Sequence, residues 1–251
     1  MLDFGYYNMD CIEGMKQFPY KYFDLAIVDP PFGGGSAIVG KEKEEADLEV
    51  GSISTTSKKE TIPNTNCSRT GGTWSKKYQV NVDENLTKDI RHWDVAPSEE
   101  YFNELFRVSK AQIIWGGNYF DLPPTRCFIV WDKKNIHEDF SMAMCEYAWT
   151  SFNDNAKIFR HVPQGNANES RLHPCQKPIS LYEWLLNRYA NKGDKILDTH
   201  VGSASSLIAC HRTNHRFVGF ELDEYYYKMS KERLEKEMAQ MNIFQFLKGS
   251  D

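Results

Sequence analysis

The residues with the most chemical potential near the start of the chain are Asp29-Pro30-Pro31-Phe32, which follow the apolar run Phe23-Asp24-Leu25-Ala26-Ile27-Val28. Two prolines offer no backbone donors, so a strand has to stop there. Ligands of open α/β sheets bind beyond the carboxyl ends of strands, which is where this tetrapeptide falls. Its groups suit an exocyclic amine on a planar base. The Asp29 carboxylate accepts one N–H, the Pro30 carbonyl, stiffened by Pro31, accepts the other, and Phe32 offers a flat apolar face. An amine whose lone pair is delocalised into a ring is a poor nucleophile. Two acceptors placed for a tetrahedral nitrogen favour the localised lone pair that attack requires. The same four residues also fit a plain strand–turn corner, with Asp29 capping the turn and Phe32 in the core; the tetrapeptide alone leaves both readings open.

A second group lies at Asp198-Thr199-His200-Val201-Gly202-Ser203-Ala204, a strand end, a turn of small residues and a helix start. It lacks the G-x-G-x-x-G spacing of a dinucleotide loop, and Asp198 would repel a pyrophosphate. A nicotinamide cofactor is therefore disfavoured, whereas an adenosine cofactor carrying a sulfonium and an ammonium fits the charge. Glu221 ends the next strand about twenty residues on, where an acid hydrogen-bonds ribose hydroxyls in such architectures. Asp223 and Glu224 read instead as acids favoured at a helix N-terminus. His211 and His215 have the spacing of zinc ligands on a helix, but the glutamate of H-E-x-x-H is missing, and they read as a polar helix end, so no metal is expected.

The elements that must position these groups are legible in the hydrophobic pattern. Strands are expected at 23–28, 111–115, 128–131, 144–149, 195–198 and 217–220, and helices at 98–106, 178–189, 203–211 and 224–239. Strand–helix alternation at this pitch argues for a doubly wound, mostly parallel sheet. The 251 residues are read as one domain spanning 1–251. Residues 33–93 break the pattern, being rich in Gly, Ser, Thr, Asn and Lys, and read as an inserted segment. Within it, residues 57–92 hold seven Lys/Arg against four acids, and 156–178 hold Lys157, Arg160, His161, Arg171, His173 and Lys177 against Glu169 alone. The insertion and a basic loop over 151–172 are the candidate polyanion contacts. Thirty Lys+Arg against 35 Asp+Glu give a net charge of −5, which excludes a wholly basic nucleic-acid coat protein but not a local basic groove. Six scattered cysteines without C-x-x-C, no apolar run of membrane-spanning length and no signal-like start lead to the expectation of a cytoplasmic protein with reduced thiols and no membrane partner.

Taken together, the motifs resemble those of S-adenosylmethionine-dependent DNA amino-methyltransferases in the permuted β-group order. D-P-P-F at 29–32 matches the family's catalytic motif, His173-Pro174-Cys175-Gln176-Lys177-Pro178 its H-P-x-Q-K-P element, 198–203 its glycine loop and Glu221 its ribose acid. Asn8-Met9-Asp10-Cys11 looks like the opening segment whose Asp lies beside the cofactor adenine. The resemblance covers about residues 8–32 and 93–238. It implies a Rossmann-like α/β fold with an antiparallel strand, and S-adenosylmethionine as cofactor, with Asp10, Cys11, Lys177, Asp198, His200, Gly202, Ser203 and Glu221 in its pocket. Lys177 has a second reading, over a phosphate. The implied activity is methyl transfer to the N6 amine of an adenine flipped out of duplex DNA, with Asp29, Pro30, Pro31 and Phe32 catalytic. Family members with D-P-P-[FYW] mostly modify adenine; cytosine N4 is the nearest alternative, ahead of an RNA base, a protein amide or a non-catalytic DNA-binding relative. A homodimer and a restriction partner are family habits that these residues do not derive. The loop departs from the family's D-P-F-x-G-S-G: His200 replaces an aromatic and reads as a packed histidine, and Ala204 replaces a glycine, which leads us to expect ordinary helical backbone angles there. Cys175 reads as a small packing residue. Neutralising Lys76 and Lys77 is expected to lower DNA affinity and flatten its salt dependence, measured as the slope of log K against log salt; an unchanged slope would remove both from the interface.

Overall fold

In the computed structural model, residues 1–33, 95–139, 143–163, 172–173 and 175–248 are described. The inserted segment with Lys76 and Lys77 lies almost wholly outside them, as does Arg171 of the second basic stretch. Eight strands among these residues form one sheet: β1 (Gly5–Asn8), β2 (Phe23–Val28), β3 (Ser109–Trp115), β4 (Phe128–Asp132), β5 (Cys145–Thr150), β6 (Lys157–Arg160), β7 (Lys195–Asp198) and β8 (Arg216–Glu221). Their spatial order is β1-β8-β7-β2-β3-β5-β4-β6. Neighbours are parallel except where β5 meets β3 and β4, so β5 alone runs against the other strands. This is the mostly parallel sheet with one reversed strand that the sequence pattern and the resemblance imply.

The central strands are apolar on both faces because helices cover both. Leu25 and Ile27 of β2 point into one core with Leu181 and Leu185 of α3 (Ile179–Tyr189) and Leu207 and Ile208 of α4 (Ser205–Arg212). Ala26 and Val28 point the other way, towards Met15 of α1 (Cys11–Met15) and Tyr101 and Leu105 of α2 (Glu99–Val108). The start of α2 follows from its sequence: the Ser98 hydroxyl accepts from the Tyr101 amide at 3.4 Å, and Glu99 and Glu100 favour the positive end of the helix dipole. Tyr101, Leu105 and Val108 then form its buried stripe. Helix α2 carries the chain from β2 outward to β3, and α4 carries it from β7 to β8 in the opposite sense. The winding direction therefore changes between β7 and β2, and there the loops at the carboxyl ends part and leave room for ligands.

Four elements differ from the sequence reading. Strand β1 and helix α1 are short and lack a full hydrophobic period, so pattern alone misses them. Lys157–Arg160, read as part of a basic loop, is an edge strand paired in parallel with β4. Its alternating half-buried and exposed residues, Lys157 to Arg160, are what an edge strand tolerates, and charged residues there discourage further pairing. The last helix, α5 (Glu224–Lys248), runs past the expected end at 239. No helix of the described residues is long and apolar enough to cross a membrane.

Gly14, in α1, sits against the ring of Phe220, and a Cβ there would fall on the Phe220 ring atoms. Alanine is worth about 1 kcal/mol over glycine in a helix, but overpacking a core costs about 1–3 kcal/mol. Gly14→Ala is therefore expected to lower the urea unfolding midpoint; a raised midpoint would show that Phe220, which is fully buried, can move aside.

Candidate active site

The carboxyl ends of four adjacent strands, β1, β8, β7 and β2, bring the separated motifs to one edge. Asn8 is in register with Glu221, and Asp198 with Gly219, while Ala26 of β2 lies beside Leu197. Asp10, Glu221, Asp198 and Asp29 thus stand in a row of acids along that edge. The Asp10 carboxylate caps α1, accepting from the amides of Ile12 (2.9 Å) and Glu13 (3.0 Å). Glu221 grips the glycine loop: Oε2 accepts from the Gly202 amide at 2.9 Å and Oε1 from the Asp223 amide at 3.0 Å. Asp198 accepts from the His200 amide at 3.0 Å and from the Ser206 hydroxyl. Burial pushes its carboxyl up to about 7, since the hydrogen bonds from Ser206 and His200 offset only part of the cost of charging it. Burial also raises Glu221 above the ordinary carboxylate range.

The loop after Asp198 is braced from several sides. His200 Nδ1 meets Thr199 Oγ1 at 2.9 Å, which in turn meets the Tyr101 hydroxyl at 2.7 Å. The His200 ring packs edge-on against Tyr101, and burial lowers its pKa to about 4, so it is neutral at pH 7. Arg233 of α5 donates to the Ser203 carbonyl at 2.7 Å, and the Ser203 and Ser205 hydroxyls meet at 3.0 Å. Cys11, at the start of α1, has its thiol pushed up to about 12 by burial and the charge of Asp10, so it is an inert neighbour.

Asp29 pairs with Lys177, whose side chain is 4% exposed and whose Nζ also lies 3.1 Å from Glu146 Oε2. The ring of Phe32 stacks on Tyr119 at a centroid distance of 4.5 Å and an interplanar angle of 26°. Gly116 makes room for Phe32: it has φ +68°, and a Cβ there would collide with the Phe32 ring. Tyr119 is 63% exposed, so the pair of rings presents an aromatic surface at the mouth of the site.

The sequence model of the DNA methylase family of N6/N4 methyltransferases matches residues 37–232. The chain belongs to that family. Among curated relatives, it is 39% identical over 83 residues to the Type II methyltransferase M.HpaI of Haemophilus parainfluenzae, covering 33% of this chain and 26% of that protein. It is 24% identical over 255 aligned positions to the DNA adenine methyltransferase YhdJ of Escherichia coli K12, covering 90% of this chain and 81% of that protein. The stretches matched to M.HpaI and to the Type II methyltransferase M2.DpnII of Streptococcus pneumoniae span about a quarter of those proteins, 26% and 24%. The fold is shared with the solved cytosine-N4-specific PvuII DNA methyltransferase, with a TM-score of 0.53 at 12% identity over 94% of this chain and 91% of that one.

One site residue of this methylase-family chain differs from expectation. Ala204 does not have helical angles: its φ is +60° and ψ +18°, left-handed, immediately before α4 begins at Ser205. The turn keeps the geometry a glycine would adopt, with Gly202 also left-handed at φ +54°, because the chain must reverse sharply between the end of β7 and the start of α4. Lys177, grouped by the sequence with the cofactor residues or a phosphate, is buried and pairs with Asp29 and Glu146. Glu146, Lys133 and Tyr119 are neighbours that sequence reasoning missed. The available signal was a Glu inside the aromatic strand Cys145–Thr150, since buried acids need partners. Among the described residues no cluster of three or more His, Cys, Asp or Glu is arranged to hold a metal.

Asp198 has a consequence for stability. A carboxyl raised to about 7 in the folded chain releases its proton first in the unfolded one, so its contribution is fully present below about pH 4 and is lost as pH rises through about 7. The loss is on the order of a few kcal/mol. Urea unfolding of Asp198→Asn at pH 5 and pH 8 is expected to show a flatter pH dependence than the parent chain; equal slopes would mean that Asp198 ionises in its ordinary range.

Proposed function

We propose that the chain transfers a methyl group from S-adenosylmethionine to the N6 amine of an adenine flipped out of duplex DNA. The observation that carries this reading is the adjacency of two strand ends: Asp29-Pro30-Pro31-Phe32 follows β2, and the Asp198–Ser203 loop follows its parallel neighbour β7. Amine acceptors and an acid-lined loop therefore share one edge.

The residues present fit the cofactor. The buried Asp198 carboxyl suits a cation, which would draw its pKa back down, and the Glu221 carboxylate can accept from ribose hydroxyls in addition to the Gly202 and Asp223 amides. Asp10, Gly202, Ser203 and His200 would complete the pocket, with Cys11 packed beside it. S-adenosylmethionine supplies a methyl carbon made electrophilic by its sulfonium. The chain's own part is to accept the two amine hydrogens at the Asp29 carboxylate and the Pro30 carbonyl, which localises the nitrogen lone pair for in-line attack. Pro31 keeps that carbonyl rigid, and Phe32 stacks on the base. With the amine so held, in-line attack would form the N–C bond as the C–S bond breaks, and the product amine would lose one proton to water. The base must leave the helix to reach Asp29, at a cost of a few kcal/mol. The preference for adenine over cytosine rests on the D-P-P-F form of the motif, since either amine satisfies the same acceptors.

The test is mass spectrometry of nucleosides from unmethylated duplex DNA incubated with the protein and S-adenosylmethionine. N6-methyladenine is expected from the parent chain, and Asp29→Ala is expected to lower its formation by about 10²–10³-fold, as for removal of one preorganised polar group. N4-methylcytosine would keep the mechanism and overturn the base. No methylated base, with cofactor bound in calorimetry, would overturn the DNA substrate.

A further inference from the structure

The pairing of Asp29 with Lys177 belongs to a longer array. Lys133, just after β4, lies 2.7 Å from Glu146 Oε1; Glu146 Oε2 lies 3.1 Å from Lys177; and Lys177 pairs with Asp29 through Oδ2. Four charges of alternating sign thus run from the end of β4, through β5, to the end of β2. Lys133 and Lys177 are 6% and 4% exposed, so neither is a solvated surface cation. Trp115, at the end of β3, lies under Lys177 with its ring centroid 5.3 Å from Nζ.

Chemistry at Asp29 explains why such an array would be built. A carboxylate that accepts an amine N–H has to be ionised, and burial alone favours the protonated acid. Asp198, on the neighbouring strand, shows the effect: it accepts from a hydroxyl and an amide, and its carboxyl still rises to about 7. An ammonium beside Asp29 counters this. An ammonium bound to Asp29 alone would also compete with the substrate amine for the same carboxylate. Glu146 gives Lys177 a second anion to rest on, and Lys133 neutralises Glu146 in turn. Cys175 also acts on Lys177, and the phenol of Tyr182, from α3, lies within the field of Asp29 and Glu146 and is held neutral by burial. Although burial pushes Lys177 down, Asp29 and Glu146 hold it above its ordinary value; burial likewise pushes Glu146 up, but Lys177 and Lys133 bring it down to about 2. Both therefore stay charged at neutral pH, and Lys177 is no acceptor for the proton that leaves the product amine.

We propose that Lys177 and Glu146 are positioning residues that keep the Asp29 carboxylate ionised and aimed, Lys177 by its charge and Glu146 by anchoring Lys177 between two carboxylates. The catalytic part of this proposal rests on the methyl-transfer reading; the electrostatic part does not.

The test therefore has two arms. In protein labelled with ¹³C at aspartate carboxyls, with the Asp29 signal assigned by its loss in Asp29→Asn, Lys177→Met is expected to raise the Asp29 titration midpoint by about one pH unit or more. Lys177→Arg, which keeps the charge, is expected to return it towards the parent value. An unmoved midpoint in folded Lys177→Met overturns the proposal, whatever the enzyme does. In the activity arm, Glu146→Gln keeps shape and removes only the anchor's charge. It is expected to lower the single-turnover methylation rate by about 10–100-fold, the scale seen for outer-shell partners, while calorimetric S-adenosylmethionine affinity stays within about twofold. In Lys177→Met the acid limb of the rate–pH profile is expected to move to higher pH with the NMR midpoint. A parent-like rate in Glu146→Gln, or a loss confined to cofactor affinity, overturns the anchor role. A parent chain that methylates no DNA but shows the Asp29 midpoint shift overturns the substrate reading and leaves the electrostatic role standing. If Lys177→Met does not fold, the Glu146→Gln rate decides.

Discussion

Strands β7 and β2 lie side by side in parallel although no crossover joins them directly, and the whole candidate site depends on that pairing. About 165 residues separate Val28 from Lys195 in the chain, yet Ala26 is in register with Leu197. Because the chain winds outward in opposite senses from these two strands, their carboxyl-end loops part, and the ligand-binding edge opens between them. The Asp29-Pro30-Pro31-Phe32 tetrapeptide at the end of one and an acid-bearing turn at the end of the other come together only through this adjacency.

The reversal of β5 makes a second contribution. A strand running against its neighbours has its first residues at the edge where theirs have their last. Glu146, second in β5 and in register with Trp131 of β4, is thereby carried to the carboxyl edge, where Lys177 and Asp29 lie. A parallel β5 would have put the same glutamate at the opposite edge, away from the site. The reversed strand is thus more than a topological variation: it brings to the edge a second carboxylate for the buried Lys177.

The electrostatics of the edge divide accordingly. On the β7–β8 side, Asp198 and Glu221 are held by amides and a hydroxyl, and burial leaves both carboxyls raised. On the β2–β5 side, lysines accompany Asp29 and Glu146. One sheet edge holds two kinds of carboxylate, distinguished by what surrounds them.

Much of this was legible in the sequence because it is local. Six strands and four helices could be read from hydrophobic period, with bounds within a few residues apart from the extended α5, since apolar spacing and the stop at Pro30-Pro31 act over a few positions. The acids at 29, 198 and 221 could be placed at strand ends for the same reason. Other features depended on partners distant in the chain. The edge strand at Lys157–Arg160 has too few apolar residues to announce itself and exists because β4 offers it a ladder. The backbone at Ala204 is left-handed because the β7–α4 turn demands it, against the preference of its residue type. Lys177 reads from its motif as a cofactor or phosphate ligand, and only packing shows it wedged between Asp29 and Glu146. Spacing along a chain reports which face a side chain occupies; which charge it meets there is decided by how the strands are ordered and by the direction in which each one runs.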